Sequence, residues 1–156
     1  MIRSLGAIVG AAGRADALAR GYEERLATIR AASEGRARRR VYFEEWDEPM
    51  ISGIGWVSEL IEIAGGRDVF ADRAAAKAAE ERIVSSEEVI RAAPEVILAS
   101  WCGKKVRPER IAARPGWNAI PAVATGAIHE IKSPLILQPG PAALTDGLDA
   151  IVAALG

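Results

Sequence analysis

The sequence is short of the side chains that most often carry chemistry. Its 156 residues include one cysteine and one histidine. Cys102 therefore has no intrachain disulfide partner, and no base partner is evident for it as a nucleophile. His129 has no second histidine at ligand spacing and reads as a structural or surface residue. No acid–base pair, triad or metal cluster emerges. No apolar run approaches the roughly 18 residues a membrane-spanning helix needs. Charge of one sign is lacking too: the formal net charge is −1, which with no basic stripe and no reading helix argues against nucleic acid. The basic cluster Arg36, Arg38, Arg39, Arg40 reads as a solvated turn. Gly103-Lys104-Lys105 lacks the glycine spacing of a phosphate loop. Met1-Ile-Arg-Ser-Leu-Gly lacks a secretory pattern, so no export signal is expected in the chain as given.

What is present is the composition of one globular domain, half hydrophobic and about a quarter charged. Leu5, Ile8, Val9 and Ala12, continued by Leu18, Tyr22, Leu26 and Ile29, keep three- and four-residue spacing and predict one long amphipathic helix over the first thirty residues. No capping residue precedes Ile2, as if the helix were cut, and Gly6, Gly10 and Gly13 weaken its first third. Ser33-Glu34-Gly35 ends it. Val41–Phe43 reads as a short buried strand running into the polar loop Glu44–Pro49. A helix over Gly55–Ala64 stops at Gly65-Gly66. Val69-Phe70 fits a brief strand, and residues 73–82 fit either a helical turn or a surface loop.

Ser85-Ser86-Glu87-Glu88 is a capping box that opens a short helix, stopped by Pro94. Val96–Ala99 has the unbroken apolar run of a strand buried on both faces. A helix starts near Pro108, Ala122-Val123 and Ile128–Ile131 flank the turn Thr125-Gly126, and a last helix runs from about Pro141 to Leu155. The alternation predicts an α/β fold: a small, mostly parallel, Rossmann-like sheet flanked by helices, preceded by the long N-terminal helix.

Ligands of open parallel sheets lie at the carboxyl ends of the strands. Two segments there carry tryptophans, Trp46 after Val41–Phe43 and Trp101 after Val96–Ala99. Each either grips a bulky ligand or packs over its own strand end, and both readings stay open. Trp56 and Trp117 read as packing residues. Glu44, Glu45, Asp47 and Glu48 lack calcium-loop spacing and read as a solvated acidic loop.

Several segments together resemble the C-terminal half of cobalamin-type periplasmic binding proteins: Phe43-Glu44-Glu45-Trp46-Asp47-Glu48-Pro49-Met50, Gly53-Ile54-Gly55-Trp56, Ile61 through Phe70, Val84-Ser85-Ser86-Glu87-Glu88-Val89, Pro94-Glu95-Val96-Ile97, Arg114-Pro115-Gly116-Trp117 and Pro139-Gly140-Pro141. The wider family includes iron–siderophore and haem binders. The resemblance implies two α/β lobes joined by a long helix, with the ligand between them. Residues 1–33 then correspond to the bridging helix and residues 34–156 to the second lobe. It implies a solute-binding component of an ABC importer, not an enzyme, with no cofactor or bound metal of its own. Its ligand is cobalamin or a related corrinoid, touched by Trp46, Met50 and Trp101, while Glu87 docks to the permease. The implied location is periplasmic or otherwise extracytoplasmic. The family's first lobe is missing, so a missing N-terminal lobe or a second copy becomes an expected partner. An aromatic that some relatives carry before the V-S-x-E segment is also replaced, by Ala78–Arg82. The competing expectation is a free-standing α/β interaction domain, cytoplasmic if expressed as given, that dimerises through its N-terminal helix.

Overall fold

A computed structural model describes residues 1–156, which fall into two compact units, Met1–Glu34 and Gly35–Gly156. In the first unit the expected single helix is two, α1 (Ile2–Ile8) and α2 (Ala12–Ser33). Gly10 causes the break. At φ +69 it takes the left-handed conformation that side chains disfavour. The amide of Ala11 then bonds Gly6 O at 2.7 Å and that of Gly10 bonds Ala7 O at 3.3 Å, which is a Schellman closure. The local stop outweighs the amphipathic pattern that runs through it. α1 packs on α2, where a Cβ on Gly6 would collide with Ala15. Arg3 spans the two helices, bonding Asp16 Oδ1 at 2.8 Å and Glu23 Oε1 at 2.6 Å.

The second unit is the expected α/β fold. Its elements are β1 (Arg40–Asp47), β2 (Met50–Ser52), α3 (Gly55–Ile63), β3 (Arg67–Asp68), α4 (Ala71–Ala74), α5 (Ser86–Ala92), β4 (Val96–Ala99), α6 (Pro108–Ala112), α7 (Pro121–Thr125), β5 (Ile128–Glu130), α8 (Ser133–Ile136) and α9 (Leu148–Leu155). Short 3-10 turns at Ala79–Arg82 and Trp117–Ala119 and a π turn at Ala143–Gly147 complete it. The sheet order is β2-β1-β4-β5. β4 runs parallel to both β1 and β5, and β3 pairs in parallel with the start of β1. β2 is the antiparallel exception, folded back on the end of β1.

Val96–Ala99 is buried throughout, as its unbroken apolar run predicts. The core on that side joins Tyr42, Ile97, Val89, Ile111 and Trp117. Tyr42 meets Phe70 edge-on with ring centres 5.6 Å apart. α3 and α7 end as α1 does, with Gly65 and Gly126 in the left-handed conformation closing Schellman motifs.

Two local readings change and one gains an element. The brief strand lies at Arg67–Asp68 rather than Val69-Phe70. Ala122-Val123 belongs to the helix α7, because Pro121 fits its first turn and Gly126 its end. Of the arginine cluster only Arg36 sits in a solvated turn, exposed at a bend. Arg38 Nε bonds Gly66 O at 3.1 Å, Arg40 Nε bonds Ala93 O at 2.9 Å, and Arg39 Nη1 reaches Leu155 O at 3.4 Å. These carbonyls lie at the C-terminal ends of α3, α5 and α9, where unpaired C=O groups and the helix dipole favour cations.

Candidate functional site

The carboxyl ends of β1 and β4 build the candidate site. β1 does not end at Phe43 in a loop; it continues to Asp47 and returns as β2, with Trp46 opposite Ile51 and Asp47 opposite Met50. Side chains alternate across such a ribbon. A cleft of about 430 Å³ is lined by Asp47, Met50, Ser86, Trp101, Arg110 and Arg114, among others. A second recess, about 350 Å³, is lined by Trp46, Ile51, Ile83 and Cys102, with Glu45 and Glu80 at its wall.

Met50 and Trp101 thus share one cleft, while Trp46 faces the other recess. Trp46 is half-buried, its indole N–H donates to Glu48 O at 2.9 Å, and Lys104 Nζ stands 3.8 Å from its ring centre. Trp101 is only 2% exposed. Its indole N–H donates to Glu44 Oε1 at 2.9 Å. It presents a limited edge to the cleft and packs over its own strand end. Trp117 is fully buried and donates to Ser86 Oγ at 2.7 Å; Trp56 donates to Ile136 O at 2.9 Å.

The acidic run is not solvated. Glu44 is wholly buried, and both of its oxygens are saturated. Oε1 accepts from Trp101 and from Arg114 Nη2 at 3.0 Å; Oε2 accepts from Arg114 Nη1 at 2.5 Å and from Tyr42 Oη at 3.2 Å. Burying a carboxylate is tolerated only with such partners. Burial also pushes the Tyr42 phenol well above its ordinary pKa, with the Glu44 charge adding to the effect. Glu45 bonds the buried guanidinium of Arg82 at 2.6 Å. Asp47 meets Lys104 Nζ at 3.2 Å and Arg110 at 3.9 Å. Glu48 alone of the four is exposed.

Glu44 and Arg114 are the residues the sequence reading missed. Arg114 lies 70 positions from its partner, and nothing local marks the pair. It stacks over Trp117, 4.6 Å from the ring centre, and its Nη1 also contacts Met50 Sδ at 3.3 Å.

Glu87 stands exposed in the first turn of α5 and joins no ion pair. Its carboxyl is held below the usual glutamate range, first by its own backbone N–H and then by the Ser85 hydroxyl. Glu88 is turned inward instead, accepting from the Ser85 amide at 2.8 Å and pairing with Arg73. Cys102 and His129 are both exposed. No group of three or more His, Cys, Asp or Glu side chains is placed to hold a metal ion.

Comparison with known proteins fits this architecture. A family model described as periplasmic binding protein matches residues 1–135. The chain belongs to the periplasmic binding protein family. Within it, the chain is 30% identical over 129 residues to the vitamin B12-binding protein of Vibrio parahaemolyticus serotype O3:K6 (strain RIMD 2210633), an alignment covering 81% of this chain and 44% of that protein. A periplasmic binding protein from Veillonella parvula superposes with a TM-score of 0.81 at 24% identity, covering 98% of this chain and 54% of the other. The periplasmic haem-binding protein RhuT from Roseiflexus sp. RS-1, in its apo form, gives 0.75 at 25% identity, covering 99% and 62%. The chain thus spans roughly half the length of the periplasmic binding proteins it matches.

Proposed function

We propose that this chain supplies one lobe of the solute-binding component of an ABC importer, acting outside the cytoplasm, and that its ligand is cobalamin or a related corrinoid. The observation that carries the reading is the cleft at the carboxyl edge of the sheet. It places a thioether, an indole edge and guanidinium donors together at the position where open α/β sheets hold ligands. The corrinoid assignment adds the 30% identity to a vitamin B12-binding protein. Met50 and Trp101 touch the ligand in this cleft, Trp46 extends the contact from the far side of the hairpin, and a companion lobe closes over them. Glu87, exposed and unpaired beside the inward-turned Glu88, is the docking contact for an arginine-bearing permease.

Titration with cyanocobalamin, followed by tryptophan fluorescence, tests the reading. Saturable quenching is expected, weakened in Met50→Ala and Trp46→Ala. Stronger quenching by haemin or a ferric siderophore would transfer the chain to those ligands. Absence of saturable quenching by all three, even with a companion N-terminal lobe supplied, would sink solute binding.

A further inference from the structure

Two guanidinium groups stand in the wall of the Met50–Trp101 cleft, and neither is free of a carboxylate. Arg110 faces Asp47 at 3.9 Å, and Arg114 is gripped by both oxygens of Glu44 at 2.5 and 3.0 Å. The lining carries two carboxylates, Asp47 and Glu48, and two guanidinium groups, Arg110 and Arg114; Asp47 is shared with Lys104 Nζ at 3.2 Å, and Glu44 lies directly behind Arg114. The wall therefore offers N–H donors without net positive charge. Arg114 commits three of its N–H groups, two to Glu44 and one to Met50 Sδ. A guanidinium has five, so two remain for a ligand.

A carboxylate or phosphate entering this cleft loses hydration and meets a cation already neutralised. An amide carbonyl accepts the same donors without that loss. We propose that Glu44 is a specificity-determining residue: by neutralising Arg114 it suits the cleft to an uncharged, amide-bearing macrocycle and disfavours an acidic one. The inference rests on the cleft being the ligand site. It is a separate statement about charge, because Glu44 touches Arg114 and Trp101 rather than lining the cleft itself.

A matched pair of probes isolates the charge: cyanocobalamin, and its derivative with one peripheral amide hydrolysed to a carboxylic acid. Dissociation constants for both are measured by equilibrium dialysis on the wild-type chain, Glu44→Gln, Arg114→Gln and the double variant, with circular dichroism as the check on folding. The wild type should prefer the amide form. Glu44→Gln leaves Arg114 unneutralised, so the ratio should move toward the acid roughly tenfold, and about 0.5 M salt should remove much of that gain. Arg114→Gln should move the ratio the other way, and the double variant should return it close to wild type. Should Glu44→Gln fail to fold, the Arg114→Gln and double-variant ratios still decide. A ratio unchanged across the folded variants, with binding intact, overturns this inference and leaves the proposed function standing. Failure of the wild type to bind either probe, with a companion N-terminal lobe supplied, removes both.

Discussion

Ser85 and Glu88 cap each other: the Ser85 amide donates to Glu88 Oε2 at 2.8 Å, and the Glu88 amide donates to Ser85 Oγ at 3.2 Å. The box opens α5 and leaves Glu87 facing outward, so it links helix stability to the presentation of the acid proposed for docking. Ser85→Ala should cost about 1 kcal/mol, read as a lowered denaturation midpoint. The Ser85 amide, more than the Arg73 charge, holds the Glu88 carboxyl below its usual range. A depressed folded pKa gives stability that is present above the unfolded value and lost as pH falls through the folded one. The gap between wild type and Glu88→Gln should therefore narrow on acidification below the ordinary glutamate range. Urea titrations at a series of pH values check it.

This box could be read from four consecutive residues because both partners and both amides are local. The same holds for the Gly65-Gly66 stop and the buried run Val96–Ala99. Glu44 resisted reading for the opposite reason. Its neighbours Glu45, Asp47 and Glu48 suggest a solvated loop, while the groups that make its burial tolerable, Trp101 and Arg114, come from 57 and 70 positions away. The arginines at 38–40 hid in the same way, since the carbonyls they bond belong to three separate helices. At Gly10, by contrast, the signal was local and was outweighed by a longer pattern. The apolar periodicity spanned it, but a left-handed glycine with both Schellman bonds made stops the helix regardless.

Ala93 is the one non-glycine residue with positive φ, at φ 46 and ψ 57. It closes α5 immediately before Pro94, and its carbonyl accepts from Arg40 Nε at 2.9 Å. An alanine Cβ in this region costs roughly 1–2 kcal/mol, part of which glycine returns as extra freedom in the unfolded chain. Ala93→Gly should therefore stabilise the protein by about 0.5–1 kcal/mol and leave ligand binding unchanged. Thermal denaturation in parallel with the fluorescence titration measures both.

Gly66 sits where α3 gives way to β3, and its missing side chain is a packing requirement. A Cβ there would lie 2.9 Å from Ile61 Cγ2 and 3.0 Å from Val41 Cγ2. Both are fully buried side chains that have little room to move. Gly66→Ala should destabilise by about 1–3 kcal/mol through overpacking. Gly35→Ala is a control without a steric clash, because nothing lies within 4 Å of its would-be Cβ. Strain at its positive φ remains, so it should cost less than Gly66→Ala. Equal losses at both positions would remove the packing argument.

Asp68 is buried at the end of β3, and its Oδ1 accepts the Phe70 amide at 3.0 Å. Burial raises its carboxyl above the ordinary aspartate value, outweighing the hydrogen bonds from Ser58 and Phe70 that favour the charged form, while Glu62 and Asp72 push the same way as burial. A raised folded pKa means that the native state binds this proton more tightly than the unfolded chain does. Stability tied to it is full below the unfolded value and is lost as pH rises through the folded one. At neutral pH the buried charge is therefore a cost, retained alongside the bond to Phe70. Asp68→Asn keeps an acceptor oxygen for that amide and removes the charge. The variant should melt above wild type at pH 7, and the two should converge as the solution is acidified through the aspartate range. A variant less stable than wild type at pH 7 would show that the carboxylate, and not merely an acceptor, is needed at this strand end.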